Sequence, residues 1–437
     1  MKVAVIGTGH VGLVTSATLA NLGHEVCATD LDTEKISGLQ AGRMPYFEPG
    51  LEELVVAETA SGRLKFTVDP AEAIPGIEVA FICVGTPPRA GGEANLVAVE
   101  GAARDIARNA TGPVVIVEKS TVPAGTATLV QRTITRERPD LAPMMQIASN
   151  PEFLREGKAV ADSLEPDRIL LGAENETAFE VLRRLYAPLT DKGVPLIETS
   201  IATAEIAKHA CNAFLAMKIS YANALARLCE LAGADVKDVV RVMGADARIG
   251  PAFLNAGLGY GGFCLPKDIP AFERLSARLG YEFPLLAEVE KINAHAIDAA
   301  MAKITEALWN LEGKRIVLLG LAFKPDTDDT RFSPALNLAK RLLAEGADVI
   351  GYDPQAGPNA KNEIPDLEIA DDPYSASSGA HCIVVCTEWD EITSLDLSRL
   401  KAEMAYPVVV DGRNVFEPED MAREGFTYHP MGRPSIA

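Results

Sequence analysis

The feature that most constrains the fold of this chain is a glycine pattern that directly follows a short apolar run. Residues 2–6 (KVAVI) are typical of a strand, and Gly7-Thr8-Gly9-His10-Val11-Gly12 then forms G-x-G-x-x-G before a helix-like run, LVTSATLANLG. In such a unit Gly7 permits a tight turn, Gly9 lets a diphosphate approach the backbone, and Gly12 lets the helix pack closely on the strand. This context predicts a dinucleotide-binding α/β domain.

An acidic residue at the expected distance indicates which dinucleotide is bound. Asp30 follows the second strand-like run, 25–29, and lies 18 residues after Gly12. A carboxylate there can accept hydrogen bonds from both ribose hydroxyls and disfavours a 2′-phosphate, so NAD is predicted over NADP. The structural alternative is a glycine turn and a helix-capping aspartate such as any α/β protein has.

Strand-like and helix-like runs alternate in two parts of the chain, with a helical stretch between them. Residues 201–232 contain neither Pro nor Gly and predict one long helix. The fold class we expect is α/β, with two Rossmann-like, doubly wound parallel-sheet domains joined by a central helical region. The expected boundaries are 1–200, 201–300 and 301–437. The long helix could form a homodimer interface or serve only as an intrachain spine. The expected strands are 2–6, 25–29, 79–84, 113–117, 145–148, 168–171, 315–320, 348–352, 382–386 and 407–411.

Composition excludes several classes of protein. The net charge is −20, so nucleic acid is not an expected partner, and an anionic ligand would need a local cluster of cations. No apolar run approaches the roughly 18 residues of a membrane span, and six residues before the first glycine turn are too few for a signal peptide. Seven scattered cysteines do not form a disulfide scaffold. We therefore expect a reduced, cytoplasmic protein without a membrane segment.

A second glycine-rich segment carries a candidate nucleophile. Gly257-Leu258-Gly259-Tyr260-Gly261-Gly262-Phe263 is too rich in glycine for a helix or strand, and Cys264-Leu265-Pro266-Lys267-Asp268 follows it. We expect a loop here, with Lys267 favouring the thiolate of Cys264. A single cysteine is more often a small core residue, and we assign that role to the other six.

Six motifs in order carry a family resemblance. They are GTGHVG, VEKSTVPAGT, SNPEFLREG, AKHACNAFLAMKIS, GYGGFCLPKD and FKPDTDDTR, and they span nearly the whole chain. Together they resemble the bacterial-type UDP-glucose 6-dehydrogenases of the UDP-glucose/GDP-mannose dehydrogenase family. The resemblance implies oxidation of UDP-glucose by two NAD⁺ and water to UDP-glucuronate, a precursor in polysaccharide biosynthesis. In that chemistry Cys264 would form a thiohemiacetal and then a thioester.

The resemblance also implies the roles of further residues. Lys208 and Asn212 would stabilise the oxygen anion at C6, Glu152 would be the base for thioester hydrolysis, and Thr121 would help to hold water. Asp268 would assist either Cys264 or proton transfer from the alcohol. The implied cofactor set is Gly7, Gly9, Val11, Gly12, Asp30, Lys35, Thr86, Thr121, Glu156, Lys267 and Arg331. The implied substrate set is Glu152, Phe153, Leu154, Arg155, Lys208, Arg248, Phe253, Leu254, Asn255, Ala256, Gly257, Gly261, Lys324 and Arg413, in which Arg248 often comes from the other subunit.

Three alternatives remain open at the level of sequence. The same chemistry could act on UDP-N-acetylmannosamine or GDP-mannose. A two-electron hydroxyacid dehydrogenase would share the N-terminal glycine pattern but would leave Cys264 and Glu152 without a role, and a non-enzymatic NAD-binding regulator would not need them either. A metal site is not expected, because the six histidines show no paired ligand spacing.

Overall fold

Two β-sheets organise the chain, and each lies in its own unit. The computed structural model describes residues 1–89 and 93–436. Unit 1 comprises Met1–Cys211 and Arg274–Gly280, and unit 2 comprises Asn212–Glu273 and Tyr281–Ala437. Within the described ranges, no helix combines the length and apolar character that a membrane crossing would require.

The sheet of unit 1 has eight strands in the order β3-β2-β1-β4-β5-β6-β7-β8. Alternate residues of β1 enter different apolar clusters, Val3 and Val5 on one side and Ala4 and Ile6 on the other, so both faces of the sheet are covered. All neighbouring strands are parallel except β6 and β7, which run antiparallel. The strands are β1 Lys2–Ile6, β2 Glu25–Thr29, β3 Leu64–Thr67, β4 Val79–Ile82, β5 Val114–Glu118, β6 Met145–Ser149, β7 Ile169–Ala173 and β8 Leu196–Thr199.

Helices connect these strands, and a long helix follows them. The helix α9 spans Ile201–Ala232, the range predicted from the sequence, and it continues across the division between the two units. The preceding helices are α1 His10–Asn21, α2 Thr33–Gln40, α3 Leu51–Ala60, α4 Pro70–Ala73, α5 Val97–Asn109, α6 Thr126–Glu137, a 3₁₀ turn Ala142–Met144, α7 Ala159–Leu164 and α8 Glu176–Thr190.

Unit 2 contains a parallel sheet of six strands in the order β11-β10-β9-β12-β13-β14. Numbered within this sheet, the order is 3-2-1-4-5-6, that of a dinucleotide-binding fold. The strands are β9 Arg315–Leu319, β10 Asp348–Tyr352, β11 Glu368–Ile369, β12 Cys382–Val385, β13 Val408–Asp411 and β14 Thr427–Pro430. The helices after α9 are α10 Val236–Gly244, α11 Cys264–Arg278, α12 Pro284–Leu308, α13 Pro334–Ala344, α14 Gly357–Glu363, α15 Pro373–Ala376, α16 Asp390–Thr393, α17 Leu397–Glu403 and α18 Pro418–Glu424.

The predicted fold class, two doubly wound α/β parts with a helical region between them, is confirmed. All ten expected strands exist, with ends that differ by at most two residues, but four further strands were not expected: β3, β8, β11 and β14. β8 and the two-residue β11 are too short to show a clear alternation of apolar and polar residues. β14 contains Pro430, and proline argues against a strand unless it lies at an edge, as β14 does.

Candidate active site

The glycine turn of unit 1 lies where the strand order of its sheet reverses, between β1 and β4. Gly7 has φ 99°, and a Cβ atom there would lie 2.7 Å from the carbonyl oxygen of Cys83. A Cβ on Gly12 would lie 1.9 Å from the carbonyl oxygen of Gly7, so the first turn of α1 approaches the loop closely. Gly9 differs, because a Cβ there would meet nothing within 4 Å. The space over Gly9 and the N-terminus of α1 therefore fits a diphosphate.

Asp30, directly after β2, completes this end of the sheet. Its Oδ2 accepts hydrogen bonds from the Thr8 N–H at 2.8 Å, the Thr8 hydroxyl at 2.9 Å and Lys35 Nζ at 3.0 Å. Burial opposes ionisation of this carboxyl group, but the hydrogen bonds outweigh it and lower the pKa of Asp30. The ionised acceptor and the open glycine turn both fit NAD, and Lys35 Nζ lies beside that acceptor.

The remaining residues of the predicted cofactor set divide between the two units. Thr86 is buried, and its hydroxyl donates a 3.0 Å hydrogen bond to the carbonyl oxygen of Thr121, so these two residues lie together. Val11 and Glu156 also belong to unit 1, whereas Lys267 and Arg331 belong to unit 2.

Glu152 and Lys208 form a buried ion pair in unit 1. Lys208, in the second turn of α9, places Nζ 3.1 Å from Oε1 of Glu152, whose exposed fraction is 5%. The other carboxylate oxygen accepts the Leu154 N–H at 2.6 Å. Two cations lie near the Phe153 ring, with Lys208 Nζ at 5.4 Å and the Arg168 guanidinium at 3.9 Å from its centroid. The Glu152 carboxylate is thus held in one orientation beside a buried cation.

Two further residues of this region were not found from the sequence. Glu48 is buried and accepts the backbone N–H groups of Gly157 and Ala159, each at 2.7 Å, so it holds the end of the predicted substrate segment. Lys119 donates to Asn150 Oδ1 at 3.0 Å, and burial lowers its pKa to about 8. Lys119 directly follows a strand, which is where α/β folds concentrate function, and that signal could have identified it. No comparable signal marks Glu48.

Cys264 occupies the first residue of α11 in unit 2, so the expectation of a loop over 257–268 is correct only as far as Phe263. Pro266 fits here because the first residues of a helix lack intrahelical partners for their N–H groups, and proline has no N–H to leave unpaired. The start of a helix favours the thiolate of a cysteine. Cys264 is half-buried, whereas Cys83, Cys382 and Cys386 are buried with pKa values raised by burial to about 12.

Asp268, one turn into α11, connects two other predicted residues of unit 2. Its Oδ2 accepts the Asn212 amide at 2.7 Å, and its Oδ1 is in contact with Lys267 Nζ. Asn212 and Asp268, which were predicted to have different roles, are thus in direct contact. Lys267 binds this carboxylate, although it was expected to act on Cys264.

The glycine-rich loop passes closely over the carboxyl edge of the second sheet. A Cβ on Gly257 would lie 2.4 Å from the Gly412 carbonyl oxygen, and one on Gly261 would lie 2.4 Å from that of Phe332. Side chains at these positions would therefore force the backbone segments apart. Gly412 follows β13, so the loop lies at the end of the sheet where ligands of such folds bind.

Arginines of unit 2 lie at the same edge. Arg413 donates from Nε to the Cys386 carbonyl oxygen at 2.7 Å and from Nη2 to that of Phe323 at 3.3 Å. Arg331 pairs with Asp329 and stacks over Phe263. Arg248, by contrast, is exposed and binds Asp246. Of the other substrate residues, Leu254 and Ala256 are buried, Phe253 and Lys324 are half-buried, and Asn255 is exposed.

Comparison with family models assigns nearly the whole chain. Residues 1–190 match the NAD binding domain of the UDP-glucose/GDP-mannose dehydrogenase family, residues 202–295 its central domain, and residues 317–418 its UDP binding domain. The first match covers the glycine turn and Asp30, and the second covers Cys264.

Comparison with individual proteins agrees. A UDP-glucose 6-dehydrogenase of Rhizobium meliloti is 45% identical, with 99% of this chain and 100% of that protein covered. The solved structure of a UDP-glucose dehydrogenase from Pyrobaculum islandicum is 37% identical, covers 99% of this chain and 98% of its own, and has a TM-score of 0.91. A UDP-D-ManNAc dehydrogenase from Pyrococcus horikoshii is 27% identical, covers 99% of both chains, and has a TM-score of 0.86.

Proposed function

The chain belongs to the UDP-glucose/GDP-mannose dehydrogenase family, and from that premise we propose that it oxidises UDP-glucose to UDP-glucuronate by way of a thioester on Cys264. It is an NAD-dependent oxidoreductase. UDP-glucose is favoured over UDP-N-acetylmannosamine because the relative that is 45% identical is named for UDP-glucose, whereas the solved N-acetylmannosamine enzyme is 27% identical.

The observation that carries the thioester mechanism is the position of Cys264. It is half-buried at the first residue of α11 and directly follows the glycine-rich loop at the carboxyl edge of the second sheet. An aldehyde releases a second hydride only after a nucleophile has made its carbon tetrahedral. The Cys264 thiolate adds to the C6 aldehyde to form a thiohemiacetal, whose oxidation leaves a thioester. The reaction contains two oxidations, and NAD, when bound, would accept one hydride in each of them.

Charged and amide groups support the other steps. Lys208 and Asn212 stabilise the negative charge on the C6 oxygen, and Glu152 accepts a proton from the water that hydrolyses the thioester, with Thr121 holding that water. Asp268, bound by Asn212 and Lys267, acts on Cys264 or on the alcohol proton. Water supplies the second carboxyl oxygen, and Cys264 returns to the thiol form.

For binding, we propose that NAD contacts the glycine turn and Asp30 and that UDP-glucose is held by the substrate set inferred from the sequence. The positive charge that a chain of net charge −20 needs to hold two anionic ligands comes from five cations of unit 2: Arg248, Lys267, Lys324, Arg331 and Arg413. We also propose that the chain has three domains, comprising residues 1–200, 201–300 and 301–437.

We also propose a homodimer, because α9 carries an exposed apolar stripe. Phe214, Tyr221, Leu228 and Leu231 lie on its unit 2 part with exposed fractions between 52% and 75%. The first three are spaced by seven residues, so they share one face of the helix. A second copy of the same stripe would cover this one across a two-fold axis.

The experiment that tests the proposed function is the amount of NADH formed per sugar consumed, with UDP-glucose, UDP-N-acetylmannosamine and GDP-mannose compared. We expect two NADH per UDP-glucose and little reaction with the other two sugars. Two NADH from another sugar would move the specificity, and one NADH per sugar would reject the thioester mechanism. In the same assay Cys264→Ser should lose turnover of UDP-glucose.

A further inference from the structure

Two glutamate carboxyl groups meet inside unit 1, and the proposed reaction assigns a role to neither. Glu118 is the last residue of β5 and is 1% exposed; Glu205 lies in the second turn of α9 and is 3% exposed. Their carboxyl groups lie close enough for each to change the pKa of the other. Two ionised carboxylates in contact in a low-dielectric interior would repel each other strongly, so the pair holds a proton.

The surrounding donors distinguish the two carboxyl groups. Glu205 accepts the N–H of Gly125 at 2.8 Å and that of Ala127 at 3.4 Å, and both bonds favour its ionised form. Within the described part of the chain, no N–H or hydroxyl group donates to either oxygen of Glu118. Burial raises the pKa of Glu118 well above its ordinary value, and the neighbouring Glu205 raises it further. The lack of donors at Glu118, in contrast to the two N–H groups bound by Glu205, therefore favours the neutral acid at Glu118 and the carboxylate at Glu205.

The carboxylate of Glu205 holds a segment that matters for the reaction. Residues 119–127, here named the Thr121 segment, run from the end of β5 into the first turn of α6. His209, one turn after Glu205 on α9, donates from Nε2 to the Val122 carbonyl oxygen at 3.1 Å. Two side chains of α9 thus hold the later part of the segment by its backbone.

Different residues hold the beginning of the Thr121 segment. The Ser120 hydroxyl donates to the Val84 carbonyl oxygen at 2.7 Å, and the Thr86 hydroxyl donates to that of Thr121 at 3.0 Å. Thr121 therefore lies between two sets of hydrogen bonds, and loss of either set would allow its backbone to move.

We propose that Glu118 and Glu205 are positioning residues, in which the neutral acid of Glu118 donates to the Glu205 carboxylate and that carboxylate fixes the Thr121 segment. The acid–carboxylate pair is independent of the reaction, whereas its effect on turnover rests on the proposed function. A glutamine at 118 can still donate to Glu205 through its amide. A glutamine at 205 presents one acceptor oxygen and an N–H donor to two N–H groups, so one of them loses its acceptor.

The test compares Glu118→Gln, Glu205→Gln and a matched control, Glu180→Gln, at an exposed site on α8. We expect Glu118→Gln and the control to stay within about threefold of the wild-type kcat. Glu205→Gln should lower kcat about tenfold or more, with a smaller change in KM for UDP-glucose, since a buried N–H would be left unpaired. The opposite order, or equal tolerance of both variants, would overturn the proposal.

Infrared spectroscopy tests whether Glu118 is protonated, independently of any effect on turnover. At neutral pH the wild-type protein and the control should show the carbonyl band of a protonated carboxylic acid, and Glu118→Gln should lack it. A wild-type spectrum without that band would overturn the acid–carboxylate pair, even if Glu205→Gln failed to fold. If the wild-type protein did not oxidise UDP-glucose, the proposed function would be wrong. The infrared band would still show whether the acid–carboxylate pair exists.

Discussion

Asp30 shows how a few hydrogen bonds prepare a residue for a ligand. One carboxylate oxygen accepts three donors, two from Thr8 and one from Lys35. Thr8 lies inside the glycine turn, so the turn and the acid hold each other in place before any ligand binds. The pKa of Asp30 is lowered, hence the group is ionised at neutral pH and ready to accept hydroxyl donors.

Asp30→Ala should weaken NAD binding by roughly tenfold to a hundredfold, the size expected for lost hydrogen bonds to a charged group. UDP-glucose binding should change much less. Calorimetric titration of each ligand measures both effects. Asp32→Ala is the matched control, because Asp32 caps α2 through the Lys35 N–H at 3.0 Å and is not one of the predicted cofactor residues. Unchanged NAD affinity in Asp30→Ala would contradict the ribose assignment.

Glu152→Gln should slow the hydrolysis of the thioester and let it accumulate on Cys264. The amide cannot accept a proton from water, and Lys208 would lose its carboxylate partner at 3.1 Å. Intact-protein mass spectrometry after mixing with UDP-glucose and NAD should show the added mass of the nucleotide sugar acid. The double variant with Cys264→Ser should show none. A normal rate with no adduct would reject the role of Glu152.

Glu118 should make the stability of the protein depend on pH in a defined direction. Burial and the nearby Glu205 raise the pKa of Glu118 well above its ordinary value of 4.5, so above that pH the folded state keeps a proton that the unfolded state releases. The contribution of Glu118 to the free energy of unfolding is therefore fully present below about pH 4.5. It is lost as pH rises, by at most about 1.4 kcal/mol per pH unit. Because glutamine does not titrate, Glu118→Gln removes this loss of stability with rising pH.

The difference in thermal midpoint between Glu118→Gln and the wild-type protein should thus grow in favour of the variant from about pH 5 to about pH 8. Differential scanning calorimetry across that range measures it. A difference that stayed constant with pH would mean that Glu118 binds no proton in the folded state.

At the scale of elements, Gly9 and Gly12 in the turn between β1 and α1 meet different structural requirements. Gly12 is needed because α1 approaches the backbone of the turn, whereas Gly9 has open space over it. The first requirement concerns folding and the second concerns the ligand. A substitution at each position should therefore separate stability from binding.

Gly12→Ala should destabilise unit 1 by roughly 1–3 kcal/mol or more, because its Cβ would lie 1.9 Å from a carbonyl oxygen. Gly9→Ala should keep the wild-type thermal midpoint in the absence of ligand but lose most of its NAD affinity. Thermal unfolding with and without NAD compares the two variants. Equal thermal midpoints without ligand would show that the close approach at Gly12 is relaxed at little cost.

At the scale of the whole molecule, the proposed homodimer would cover the apolar stripe of α9 that a single chain leaves exposed. Leu228→Arg combined with Leu231→Arg should convert the dimer to a monomer, because buried arginines without partners are costly at an interface. Sedimentation velocity measures the mass. Trp309→Arg is the control, since Trp309 at the end of α12 is 92% exposed but lies outside the stripe. A wild-type protein that sediments as a monomer would contradict the dimer.

Local patterns were sufficient to predict much of this protein. The limits of α9, the glycine turn and Asp30 depend on residues close together in the chain, so composition and spacing indicate them directly. Other features were missed because they depend on partners far apart. Glu48 receives its hydrogen bonds from residues 157 and 159, and Glu118 meets a carboxyl group 87 residues away.

The sequence alone determined the fold class, the NAD-binding turn and, through six motifs in order, the family. Only the tertiary structure decided that Glu152 is paired with Lys208, that Lys267 binds Asp268, that Cys264 begins a helix, and that Glu118 faces Glu205. Backbone preferences and apolar periodicity act over a few residues and can be read from the chain. Charge pairing and proton placement depend on burial and on the distances between side chains that folding brings together.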